Sequence, residues 1–218
     1  MEVALGLGVL RFEERHQTLA VRLQVEGRKR THSLDSWIRT DGAEEPQLLL
    51  KSKEPLWPGA FTPDGRRLAY VARSTDIMTV PLDLSDPEHP TPGKPEAVLE
   101  TEAVEVAPAF SPDGHWMAYT SDESGRPEIL VRAFPGPGGK WRVSTEGGVT
   151  SAWSRNGREL VFQGTDGRIL VAEYTAQGGS FNPGKPRVWP LANPRGPGVG
   201  AFASFDLHPY GKRLMTLL

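Results

Sequence analysis

The chain has 218 residues, 25 basic and 27 acidic side chains, a formal net charge of −2, 38 % hydrophobic residues and no cysteine. A balance this close to neutral carries no field to draw the chain to DNA, RNA or an anionic membrane, so nucleic acid is excluded as a partner. The missing cysteines exclude disulfides, thiolate metal sites and a cysteine nucleophile, and they leave the compartment open.

The 24 glycines and 20 prolines fall in short bursts between apolar runs, the pattern of many short strands joined by turns. Residues 3–10 are apolar, but no basic lead precedes them and Arg11, Glu13, Glu14 and Arg15 follow at once. Eight residues are too few to span a bilayer and lack the marks of a signal peptide, so the stretch reads as a strand and no membrane span is expected in this chain. Residues 12–21 form the first expected hairpin, with Arg15 and His16 at its turn, and residues 36–40 and 47–50 follow as strands.

Next comes the first strong copy of a repeat, Ala60-Phe61-Thr62-Pro63-Asp64-Gly65-Arg66-Arg67-Leu68-Ala69-Tyr70. A second runs from Ala109-Phe110-Ser111-Pro112-Asp113-Gly114 to Met117-Ala118-Tyr119, and a third from Ala152-Trp153-Ser154-Arg155-Asn156-Gly157 to Phe162. A weaker copy at residues 205–215 keeps Pro209 and Gly211 but has Tyr210 in the acid's place. Asp64, Asp113, Asn156 and Tyr210 are 49, 43 and 54 positions apart, a period in the range of propeller blades. In each strong copy the proline or its counterpart sets φ, the acid or amide bonds its own backbone, and the glycine supplies a left-handed conformation, so the chain reverses between two strands.

Further extended runs complete each strong copy: residues 76–82 and 96–99 after the turn at Asp64, 128–133 and 140–144 after that at Asp113, 168–174 and 186–189 after that at Asn156. No stretch keeps a helical period. The expected fold is therefore all-β, a single domain over residues 1–218 with repeat units at about 1–53, 54–103, 104–147, 148–198 and 199–218. A lone four-stranded blade bares apolar residues on both faces, so the units must stack, radially by preference. The count is four complete blades and a half blade, an expected open ring whose edges offer self-association or cover by another chain.

These copies resemble the repeats of TolB-type β-propellers, whose hallmark is a Trp/Phe-Ser-Pro-Asp-Gly turn followed by a short apolar strand. A narrower resemblance, carried by residues 87–99, Ser121-Asp122-Glu123-Ser124-Gly125-Arg126-Pro127-Glu128, residues 132–141 and Trp153-Ser154-Arg155-Asn156-Gly157-Arg158-Glu159-Leu160, is to the propeller that follows the kinase domain in bacterial membrane-bound serine/threonine kinases. It implies a sensing or binding propeller outside the cytoplasm, in the periplasm. The chain has none of the kinase motifs, so kinase activity does not carry over.

Few residues of the chain fall in a pattern that carries chemistry. The run ending Gly138-Gly139-Lys140-Trp141 lacks the glycine spacing and the Ser or Thr of a phosphate loop, and Gly6-Leu7-Gly8 lacks the third glycine of a dinucleotide site. His16, His32, His89, His115 and His208 are never paired at ligand spacing, and each is expected in or beside a turn or loop. Asp64, Asp113 and Asn156 fit turn capping better than calcium, and no serine-hydrolase elbow is present, so no cofactor, metal or catalytic residue is expected. Trp37, Trp116, Trp141, Trp153 and Trp189 are read as blade packing ahead of ligand stacking. A ligand site belongs at the axial mouth, where innermost strands begin, and Glu54, Trp57, Glu102, Glu105, Thr150 and Ser151 stand there. The expected function is a non-catalytic module that binds protein or peptide through those loops. The alternatives are a small-molecule sensor separated from a kinase and, third, the gating propeller of a hydrolase.

Overall fold

The computed structural model describes residues 12–14, 17–19, 22–26, 31–37, 47–54, 56–86, 89–189, 205–207 and 214–216, with side chains from residue 49 to residue 189. The expected strand at residues 3–10 lies outside them. Every strand pairing is antiparallel, and no helix occurs among the described residues. The chain divides into two compact units, Met1–Thr101 and Glu102–Leu218.

In the first unit, β1 (Phe12–Glu14) and β2 (Gln17–Leu19) form the hairpin expected across Arg15 and His16. β3 (Arg22–Glu26), β4 (Thr31–Trp37) and β5 (Gln47–Ser52) form a separate three-stranded sheet. This corrects the expectation of one four-stranded blade with a strand at residues 36–40. The ladder pairs Leu23 with Leu34 and Val25 with His32, and no Ser-Pro-Asp-Gly turn marks this hairpin in the sequence. His32 is the second residue of β4, beside the connection of that hairpin. The next blade is regular: β6 (Leu56–Phe61), β7 (Arg67–Ala72) and β8 (Asp76–Asp83) are followed by a two-residue β9 (Thr91–Pro92) on the end of β8, and by β10 (Glu96–Leu99) at the edge. Leu49 joins Leu56, Leu68, Tyr70, Val80 and Leu82 in its core.

The second unit opens with β11 (Glu105–Phe110), β12 (Trp116–Ser121), β13 (Glu128–Ala133) and β14 (Lys140–Arg142), four strands in sequence order. The next sheet has β15 (Thr150–Trp153), β16 (Glu159–Gln163) and the nine-residue β17 (Ile169–Gln177). The first half of β17 pairs with β19 (Arg187–Val188), and its second half pairs with β18 (Ser180–Pro183). β18 was not expected from sequence. β20 (Phe205–Leu207) and β21 (Leu214–Thr216) form the hairpin of the weak copy.

The repeated turn has the geometry its residues dictate. Ser111 N–H donates to the Trp116 carbonyl (2.9 Å), Trp116 N–H donates to Ser111 Oγ (3.0 Å), and Asp113 Oδ1 accepts from His115 N–H (3.0 Å). Thr62 and Asp64 repeat the pattern, as do Ser154 and Asn156 in part. The three acids and amides are turn caps. Gly65, Gly114 and Gly157 sit at φ of 69°, 73° and 66°, where a side chain would be strained.

The strands after the turns are buried throughout: Leu68, Ala69, Tyr70, Met117, Ala118 and Tyr119 all lie in the interior. Between the β11–β14 and β15–β19 sheets, Phe181 of β18 fills the centre of an aromatic cluster. It stacks on Tyr174 at 4.8 Å and meets Trp116 and Trp153 at 5.2 and 5.9 Å, while Trp116 packs edge-on against Trp141. Trp153 Nε1–H also donates to the Ala109 carbonyl of β11 (3.0 Å), which ties β15 to β11. Trp189 packs against Val161, Ile169 and Val171. The side chain of Trp37 lies outside the described residues.

Candidate functional site

Of the six predicted residues, Glu54 and Trp57 lie in the first unit and Glu102, Glu105, Thr150 and Ser151 in the second. Glu54 is exposed just ahead of β6, with its N–H held by Ser52 Oγ (2.9 Å), and Trp57 is half-buried as the second residue of that strand. Glu102 is exposed ahead of β11. Glu105 opens β11 at 1 % exposure, and Thr150 and Ser151 are buried at the head of β15.

Register separates the buried members. Side chains directly opposite in an antiparallel pair share a face. Glu105 faces Ser121, which in turn faces Glu128, so one rung of that sheet is polar across three strands. Thr150 shares its face with Gln163, and Ser151 shares the other face with Phe162, which belongs to the aromatic side of the sheet. Thr150 and Ser151 therefore do not point to a common spot, although β11 and β15 are neighbours. Ser151 Oγ is buried without a hydrogen-bond partner.

Burial is the main cause that raises the Tyr119 phenol well above its ordinary value, and the negative charges of Glu105 and Glu123 add to it against the opposing field of Arg132. Burial and Asp113 push the Tyr174 phenol up to about 12. Both hydroxyls stay protonated in neutral solution and do not serve as bases. Burial works against ionising Glu128, but hydrogen bonds from Ser144, Arg126 and the Gly147 N–H outweigh it and hold the carboxyl below its ordinary value.

Glu128 is the residue that sequence reading passed over. It opens the predicted strand at residues 128–133, and only its complete burial, 0 % exposure, marks it out. Two open grooves lie in the second unit, one beside Glu123 and Lys140, the other between Arg158, Tyr174 and Asn182, and none of the six predicted residues lines either. Among the described residues no group of three or more His, Cys, Asp or Glu side chains could hold a metal ion, and no helix is long and apolar enough to cross a membrane.

No family model matches the sequence. Among solved structures, TolB from Acinetobacter baumannii superposes with a TM-score of 0.58 at 26 % identity, over 85 % of this chain and 42 % of that one. The fold is that of a TolB-like β-propeller. A protein assigned as TolB from Agrobacterium tumefaciens matches at TM-score 0.54 and 20 % identity, over 77 % of this chain and 61 % of its own. One assigned as a 6-phosphogluconolactonase from Bacteroides uniformis matches at 0.55 and 17 %, over 94 % and 61 %. This chain thus spans between 42 % and 61 % of the length of these proteins. The sheets β6–β10, β11–β14 and β15–β19, of five, four and five strands, are the blades of this fold, and β6, β11 and β15 are the first strands of each.

Proposed function

We propose that the chain is a non-catalytic propeller module that takes a protein or peptide partner at the end of the blades where the innermost strands begin. The observation that carries this reading is Glu105. It is a buried acid at the place where the two other strong copies of the repeat have Leu56 and Gly148. A buried carboxylate is costly relative to an apolar residue, so its presence at one blade alone favours recognition over packing. Exposed Glu102 stands just ahead of β11, in the loop that enters the same blade. The fold itself hosts many activities, and the likeness to a protein assigned as a lactonase at 17 % identity brings no chemistry to this chain.

The test is affinity capture by the immobilised chain from a lysate of its source. A partner held by the wild type and lost with Glu102→Lys and Glu105→Gln, at unchanged thermal midpoint, supports the module. Equal retention by all three refutes it. A second reading, a small-molecule sensor separated from a membrane-bound serine/threonine kinase and lying in the periplasm, is favoured by the unpartnered Ser151 hydroxyl and by the resemblance of residues 87–99, 121–128 and 132–141. A metabolite that raises the thermal midpoint of the wild type but not of Ser151→Ala would select it.

A further inference from the structure

The segment from Ser144 to Val149 carries the chain from the outer strand β14 of one blade to the head of β15 in the next. We propose that Glu128 is the positioning residue of this strap, and that its carboxylate holds the strap so as to place Thr150 and Ser151.

The strap has little to order it locally. Its sequence, Ser-Thr-Glu-Gly-Gly-Val, has two adjacent glycines and no turn motif of the repeat. One carboxylate reaches both ends of its first half. Glu128 Oε2 accepts from the Ser144 hydroxyl and from Gly147 N–H (3.1 Å), while Oε1 accepts from Arg126 Nε (2.7 Å). Arg126 in turn donates to the Thr145 carbonyl between those ends (2.8 Å), and Ser144 Oγ accepts from Ile129 N–H (2.7 Å). Glu128, Ser144, Ile129 and Gly147 are buried, where a charge-assisted hydrogen bond is strong and a lost one is costly, whereas Arg126 and Thr145 are exposed at the rim.

The second half is seated by close approach. A Cβ on Gly148 would come within 2.5 Å of Ile129 Cγ1, so only glycine lets the backbone lie this low, and Gly148 N–H bonds the Pro127 carbonyl (2.9 Å). Val149 N–H then donates to the Gln163 carbonyl (2.9 Å), and its own carbonyl accepts from Thr120 Oγ1 (3.0 Å), immediately before Thr150. Position and direction at the head of β15 thus descend from the seat of the strap.

The blade of the first unit repeats the plan with other residues. Asp76 opens β8 at the register place of Glu128, is almost fully buried, and is met by Arg73 from the preceding turn (2.8 Å). Arg73 also holds Glu100, just past the outer strand β10 (2.7 Å). In both blades a buried acid at the head of the third strand, with an arginine from the turn before it, pins the segment that leaves the blade.

The binding reading gives Thr150 and Ser151 their purpose, and the strap's dependence on Glu128 is measured without it. The experiment is amide hydrogen exchange on the full chain as wild type, Glu128→Gln and Ser144→Ala. In Glu128→Gln, exchange at Gly147, Gly148 and Val149 should quicken roughly ten- to a hundredfold, with a smaller rise in Ser144→Ala, while Ala118 and Val161 keep their rates. Unchanged strap exchange overturns the assignment. So does an equal acceleration at Ala118 and Val161, which would make Glu128 a stabiliser of the whole unit. If Glu128→Gln does not fold, Ser144→Ala decides by the same comparison. A loosened strap with unaltered partner capture would support the strap and count against the binding role of Thr150 and Ser151.

Discussion

Truncating Phe181 tests how the two blades of the second unit are locked together. Its side chain is fully buried, 0 % exposed, among Trp116, Trp141, Trp153 and Tyr174. Phe181→Ala removes a ring from a packed interior, and the transfer and cavity contributions together come to about 3 to 5 kcal/mol. Phe181→Leu keeps most of the apolar volume but loses the stacked contact with Tyr174 at 4.8 Å and the edge contact with Trp153 at 5.9 Å, so about 1 to 1.5 kcal/mol should go. Urea unfolding followed by tryptophan fluorescence and circular dichroism measures both, because three of the tryptophans lie inside the cluster. The denaturant slope should be unchanged, with only the midpoint moving. Val188→Ala, at a site 48 % exposed, serves as the control and should stay within about 0.5 kcal/mol of wild type. A loss below about 1 kcal/mol for Phe181→Ala, or equal losses for Ala and Leu, would refute the idea that β18 locks the blades.

Three further outcomes are expected. Gly147→Ala should cost about 2 kcal/mol or more in the same assay, since φ is +97° and the new Cβ would lie 2.7 Å from Thr165 Oγ1. Ser74→Gly should stabilise by roughly 0.5 to 1 kcal/mol, because Ser74 holds φ of 71° in a tight turn closed by Thr75 N–H on the Ala72 carbonyl (3.1 Å). Glu128 has its folded-state pKa depressed below the ordinary 4.5, so its contribution is fully present above that value and is lost as the pH falls through the folded-state pKa. The stability gap between wild type and Glu128→Gln, followed by urea midpoints from pH 7 to pH 3, should therefore narrow on the acid side. A constant gap would contradict the assignment of the charge.

The blades with a Ser-Pro-Asp-Gly or related turn were legible almost residue by residue. The strand bounds of β13 and β10 agree with those read from the chain alone, because the information is local. Ser111, Asp113 and Gly114 satisfy one another's backbone within six residues, so the hairpin is written where it forms. Where the turn is absent, as between β3 and β4, the same reading misplaced the strands, since pairing there is set by Leu23 against Leu34 and has no local marker. The candidate residues lie at or just ahead of the starts of β6, β11 and β15, but the face each side chain takes is not written locally, because a shift of one residue exchanges the two sides of a sheet.

Sequence by itself determined the all-β class, the repeat and its period, and the turn caps, all of which depend on contacts a few residues apart. Tertiary structure alone decided that β18 brings Phe181 into the aromatic cluster, and that Glu128 is a buried acid whose partners Ser144 and Gly147 lie 16 and 19 residues away. The physical reason is range. A hydrogen bond within a turn is fixed by the residues that flank it, whereas the environment of a buried ring or carboxylate is made by segments that meet only once the blades have stacked.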